Sequence, residues 1–412
     1  MKTKPTMREA CTASLQINSQ LGVAVFLGVV LIGGARIANA AEEFQPYAGV
    51  RYERNSNLFA LSGEAIAALP PGERDEEDSY LQYVAGLNSD FKWGRQSLSL
   101  DLEGRRFQYS EYDELDHNEY EAATALNWTL SHRLDGVVAY RQEQRMAPFA
   151  QTISTELLIQ KSRNFDAQAN YLLGSKWRLE PGFRTEHVDS PQVAYPNFAM
   201  REVIPSLGMT YAGFSRLQAG IVFEFVDGEY SGFPLAQKFE QRRQELTLTY
   251  KVGTRTTLDA SVGYTEREER IAEVDRDTSA VTGSLGYARQ LSAKTQLMVK
   301  YNRGVNSYVT AGSSVLDTSY GAGLQWDPTQ KVKISILYAR TDTDFQTSIL
   351  DPINEGRKDK ADLVSGRVMY SPVRWLSVSV YGNYDDRQSN TPAFAYRSAV
   401  AGLELLAHLG AR

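Results

Sequence analysis

Four histidines, His117, His132, His187 and His408, are the side chains best placed to titrate near neutral pH or to bind a metal, and they are spread singly along 412 residues. None belongs to an HExxH pair, and the chain contains neither a GxSxG elbow nor a glycine-rich phosphate loop. The acidic pairs Glu268-Glu269 and Asp385-Asp386 offer oxygens to calcium. A calcium site needs about 6–8 oxygens arranged together, so both pairs read as solvated loop charges. The single cysteine, Cys11, lies close to the N-terminus, which leaves the rest of the chain without thiol or disulfide chemistry. A hydrolase built on rim loops would need Ser, His and Asp to converge, and nothing in the spacing gathers them. The expectation is a protein that is not an enzyme and holds no cofactor and no metal.

A second set of polar residues has a pattern. Asp101, Glu103 and Arg105 alternate with apolar neighbours, as do Arg141 and Glu143, Arg178 and Glu180 with Arg184, and singly Glu224, Lys300 and Arg367. Period-two spacing puts each group on one face of a strand. A wall that carries interleaved charges of both signs does no covalent chemistry, but it keeps a channel wet and guides a polar solute along it. These eleven residues are the candidate lining of a lumen.

The strands that must carry them are announced by a repeat. Polar turns precede alternating segments at WGRQSLSLDLEG (93–104), SHRLDGVVAY (131–140), GSKWRLEPGF (174–183), GFSRLQAGIVFEF (213–225), GTRTTLDASVGY (253–264), SAKTQLMVKYNR (292–303), TQKVKISILYAR (329–340) and PVRWLSVSVYGNY (372–384). In 257–265, Leu258, Ala260, Val262 and Tyr264 share one face, while Asp259, Ser261, Gly263 and Thr265 share the other. Return strands such as 80–91, 119–130 and 319–326 lie between the copies, and longer polar segments of 8–16 residues, with a largest one at 55–77, join the opposite ends. Eight short turns join sixteen strands, and one more strand at each end (about 43–54 and 396–409) makes eighteen, with sixteen and twenty as the bounds. Short turns on one side and long loops on the other describe an all-β, up-and-down antiparallel transmembrane barrel formed by residues 41–412. Arg or Lys on its lipid side would cost about 2–4 kcal/mol at mid-membrane, which sends the charges inward.

All five tryptophans, Trp93, Trp128, Trp177, Trp326 and Trp375, fall in or beside the short turns, as an aromatic girdle at one membrane interface requires. A soluble propeller shares the period of roughly 40 residues but gives no reason for tryptophan to mark alternate turns. Residues 1–40 read as a Sec signal: Lys2, Lys4 and Arg8 lead, Leu21–Ala35 is uncharged, and Ala38-Asn39-Ala40 sets cleavage after Ala40. Removing this segment moves the formal charge from −6 to −9, which excludes a nucleic-acid partner.

The first strand and loop, PYAGVRYERNSNLFAL (46–61), resemble the start of the exopolysaccharide-operon outer-membrane β-barrel proteins found beside exosortase genes, in which an Asn-containing stretch, here Asn55-Ser56-Asn57, runs into Leu58-Phe59. The resemblance implies a bacterial outer-membrane conduit that exports an exopolysaccharide passively, with outer-membrane lipid, polysaccharide and periplasmic or outer-membrane export proteins as partners. The alternatives are a general diffusion porin for small solutes and a structural or adhesive surface barrel.

Overall fold

The structure, a computed structural model, describes residues 44–68, 76–152, 155–191, 197–232, 237–271, 274–308, 313–346 and 354–409. The expected signal and its cleavage point at Ala40 lie outside the described residues. The described chain forms eighteen strands: β1 Gln45–Asn55, β2 Asp78–Trp93, β3 Gln96–Tyr109, β4 His117–Thr129, β5 Leu134–Met146, β6 Ile159–Leu173, β7 Trp177–Asp189, β8 Ala199–Tyr211 and β9 Leu217–Ser231 in the first half. The second half holds β10 Gln237–Val252, β11 Thr256–Ile271, β12 Val274–Ser292, β13 Thr295–Tyr308, β14 Ser313–Trp326, β15 Val332–Phe345, β16 Lys358–Val373, β17 Leu376–Ser389 and β18 Tyr396–His408. Two short helices, α1 (Gly63–Ala68) and α2 (Phe149–Thr152), lie in the β1–β2 and β5–β6 connections.

Each strand pairs antiparallel with its neighbours in sequence, and β1 pairs with both β2 and β18, from Asn55 opposite Val400 to Tyr47 opposite His408. The sheet is therefore closed, and no backbone edge is left where first and last strands meet. Eighteen strands about 4.8 Å apart and tilted by about 40° enclose a wall roughly 36 Å across. No described helix is long and apolar enough to cross a membrane.

The eight short turns fall where the repeat places them, and three of them use Gly94, Gly174 and Gly253 at φ of 61°, 65° and 68°, where a Cβ would be strained. The opposite connections differ from the expected 8–16 residues. They run from two residues (272–273) to twenty-two (56–77). The reason is strand length: strands of 11 to 19 residues continue past the roughly 9–11 that cross a membrane and absorb residues that read as loop. Glu268-Glu269 and Asp385-Asp386 are two such cases. They lie inside β11 and β17, where alternation puts Glu269 and Asp385 on the interior and Glu268 and Asp386 on the exterior, so neither pair can share an ion.

Apolar side chains cover the outside. Leu246, Val262, Val281, Leu285, Ile336 and Val380 are all 47 % exposed or more, which water would penalise and lipid does not. All five tryptophans stand at the short-turn end: Trp93, Trp128 and Trp326 near the ends of β2, β4 and β14, Trp177 at the start of β7, and Trp375 in the turn before β17. Instead of a central core, the barrel has three small buried apolar clusters toward the long-connection end.

Candidate functional site

The interior face follows from register. Opposite residues in a ladder share a face, so Glu103 opposite Glu121, Glu121 opposite Glu143 and Arg141 opposite Asn164 carry one face around the wall. Extended round the barrel, this parity places all eleven candidate lining residues on the interior. Most of them pair along or across the wall. Arg105 reaches Glu103 at 2.5 Å, Glu119 at 3.2 Å and Glu121 at 3.7 Å, and Glu121 also holds Arg141. Tyr47 donates its hydroxyl to Glu103 at 2.5 Å. Arg145 lies 3.7 Å from Glu143, and Arg178 lies 2.5 Å from Glu180, which also accepts from the Thr210 hydroxyl. Glu224 is shared by Arg184 at 3.6 Å and Arg243 at 3.1 Å. Arg367 reaches Glu404 at 3.3 Å. Lys300 is flanked in register by Gly286 and Gly321, which leaves room around it, and Asp101 lies opposite Ala123. Strands β3 to β10 thus carry a mixed-charge interior face whose ion pairs are partly exposed.

Sequence spacing missed a second set of interior residues. At the β18–β1 seam, Arg51 donates from Nε (2.9 Å) and Nη2 (2.5 Å) to one oxygen of Glu404, whose other oxygen takes Arg367. Glu53 accepts from both Tyr80 and Tyr381. Tyr381 crosses β18 to get there and lies over Gly402, where a Cβ would stand 2.2 Å from its ring.

The long-connection end is bridged in two places. Asn57 donates to the carbonyls of Leu61 and Arg397, while its Oδ1 accepts from the Leu61 amide, which ties the β1–β2 connection to β18. Leu58 and Phe59 then bury against Tyr109, Leu115 and Phe149. The Asn57-Leu58-Phe59 run is thereby an anchor that turns this connection inward. Arg387 of β17 donates to the Ala150 carbonyl of α2 at 2.6 Å and lies 3.4 Å from Asp359, which also holds the fully buried Arg357 between Phe345 and Phe394. The second bridge runs from β13 to β8. Ser307 donates to Glu202 at 2.7 Å and accepts from Arg267 at 2.9 Å, and Arg267 in turn pairs with Glu269 and lies 3.7 Å over the Phe239 ring. Alternation with Thr265 could have exposed Arg267 and Glu269, but no local signal brings Ser307 to Glu202.

The histidines do not assemble. His117 is buried between the Leu115 carbonyl and Glu119 and stacks on Phe107. His187 faces outward 3.1 Å from Asp189, His408 closes the seam near Tyr47, and His132 lies in a short turn. Among the described residues no group of three or more His, Cys, Asp or Glu could hold a metal ion.

No family model matches the chain, and no curated protein does, so the resemblance of residues 46–61 stands on those residues alone. Several solved barrels are similar at low identity. The FrpB iron transporter from Neisseria meningitidis has 9 % identity and a TM-score of 0.46 over 83 % of this chain, which spans only 62 % of that one. OccK2 from Pseudomonas aeruginosa, solved with glucuronate, has 13 % identity and a TM-score of 0.46 over 89 % of this chain and 99 % of its own. A BenF-like porin from Pseudomonas fluorescens has 12 % and 0.45 over 90 % and 100 %. The barrel assignment rests on this chain's own pairing, which closes the sheet at β1 and β18.

Proposed function

We propose that the chain is a bacterial outer-membrane channel that passes small polar solutes without covalent chemistry. One observation carries the reading: a mixed-charge interior leads to a long-connection end bridged twice, from β13 to β8 and from β17 to α2. Such a passage narrows where an open conduit for a polymer would stay wide, and this geometry favours the diffusion porin over the exporter. Interleaved Arg and Glu give a passing solute alternative partners for each hydrogen bond it breaks, so it moves without full desolvation. The second reading, export of an exopolysaccharide with periplasmic or outer-membrane partners, rests on the Asn55–Phe59 resemblance.

Single-channel recording in planar bilayers, with liposome swelling in sugars of graded size, separates the two. A modest conductance with uptake that falls off between mono- and trisaccharides supports the small-solute channel. A large conductance blocked by the host's own polymer, and indifferent to small sugars, supports export. Absence of conductance overturns both.

A further inference from the structure

The two rims of the barrel carry opposite charge. Each of the eight short turns holds one cation, from Arg95 before β3 to Arg374 in the turn before β17, and in seven of them it is the last residue before the next strand. Only one acid, Asp327, lies in those turns. The opposite connections are the reverse. Their described residues hold nine acidic side chains and one basic, Arg357, which is fully buried on Asp359. Residues 110–116 contribute Glu111, Asp113, Glu114 and Asp116, and Glu76 and Glu77 stand where the β1–β2 connection enters β2. The formal charge of the chain is −6, so a rim of cations runs against its overall sign.

Alternation turns the cationic rim toward the lumen. Counting back in steps of two, Arg95 falls in line with Asp101 of β3, Arg133 with Arg141 of β5, Lys176 with Arg178 of β7, Arg216 with Glu224 of β9 and Lys294 with Lys300 of β13, all on the interior. Cations meant for lipid headgroups would take the other alternation, as Trp177 does beside Lys176. All eight side chains are exposed. Lys294 and Lys331 donate to the carbonyls of Pro328 and Pro372, each near the next short turn, at 2.6 and 2.9 Å, which holds both ammonium groups along the rim. Neighbouring short turns stand about 14 Å apart round the wall, and the two rims are about 35 Å apart along it. The screening length is about 8 Å at physiological ionic strength, so the two rims do not cancel each other, and each sets the potential of its own mouth.

We propose that the short-turn rim is an anion-collecting mouth and that the channel is electrically polar along its axis. Small anionic solutes, carboxylates and phosphates, gather at the short-turn mouth, which in outer-membrane barrels faces the periplasm, and enter most readily under a field that draws them in from there. The acidic rim at the other end repels them and gathers cations instead. A rim of this kind matters only in a protein that conducts, so the proposal rests on the channel reading above.

The test records single channels in planar bilayers with about 0.01 M salt on one side and about 1 M on the other, where the screening length is about 30 Å and about 3 Å, so only the mouth in dilute salt displays its charge. Sodium succinate is the probe and sodium chloride the control. Thr254→Cys, in the β10–β11 turn of a Cys11→Ser background, lets a membrane-impermeant thiol reagent report which way each channel faces. The expected reversal potential shows anion preference when the short-turn mouth is in dilute salt and cation preference when the other mouth is. In dilute salt on both sides the current is expected to be severalfold larger with the long-connection side positive, because anions then enter at the cationic rim and cations at the acidic one. Arg133→Gln, Lys176→Gln, Arg216→Gln and Arg255→Gln together keep the backbone carbonyls that accept from Leu172, Ala212, Lys251 and Gln290. They are expected to abolish the anion preference and spare the cation preference, while Glu111→Gln with Asp113→Asn and Glu114→Gln weakens the cation preference alone. A conducting channel with the same preference in both arrangements, or one unmoved by either set of substitutions, overturns the polar mouth and leaves the channel reading standing. A folded barrel that never conducts overturns the channel reading, and the polar mouth with it.

Discussion

Glu404→Gln is expected to loosen the barrel where its two ends meet. Glu404 of β18 takes two bonds from Arg51 of β1, at 2.9 and 2.5 Å, and one from Arg367 of β16 at 3.3 Å. The Glu404 and Arg367 side chains are each 11 % exposed and that of Arg51 is 33 % exposed. Removing one partner of a buried ion pair costs about 3–5 kcal/mol, because the stranded charge stays desolvated. Arg51 retains access to water, so the lower end applies, about 3 kcal/mol or a hundredfold in the folding equilibrium. Urea unfolding in phospholipid vesicles, with the folded fraction read from the faster gel migration of unboiled barrel, measures it. Adding Arg367→Gln removes a stranded charge, so the double variant should be more stable than the sum of the two single losses predicts. A loss under about 1 kcal/mol, with no coupling, would mean that lumen water hydrates both arginines and that the seam is held by its backbone ladder alone.

Alternation makes a second, sharper test. Val299→Arg on the lipid face is expected to cost about 2–4 kcal/mol, while Lys300→Ala next to it, on the interior, changes stability by less than about 1 kcal/mol in the same assay. Gly402→Ala should push Tyr381 off β18 and break its bond to Glu53, at about 2 kcal/mol, and an unchanged unfolding curve would show that the ring relocates freely. Asn57→Ala should release the β1–β2 connection from β18, seen as faster proteolysis within 56–77 and noisier channel currents with the barrel still folded. Replacing Arg141, Arg184 and Arg243 together by Glu should move the reversal potential in a salt gradient toward cation selectivity, and an unmoved potential would take these groups out of the conduction path.

The eighteen strands, the short-turn end and the inward face of Arg105, Arg178 or Lys300 were legible from spacing alone. A strand between lipid and water has to alternate, and alternation is a local property that each segment of ten residues carries by itself. The same locality explains what was misread. Glu268-Glu269 looked like loop because the charges that mark the end of the apolar belt also mark, in a sequence, the end of a strand, and β11 runs on past it to Ile271. The Asn57-Leu58-Phe59 run was conspicuous, but its task needed the Arg397 carbonyl, 340 residues away. Tertiary structure alone decided the register in which β18 meets β1, which arginines share Glu404, and that Ser307 of β13 reaches Glu202 of β8. Those contacts depend on the closure and tilt of the whole wall, which bring residues of distant strands to one height. No stretch of sequence encodes that height, because it is the sum of every register between them.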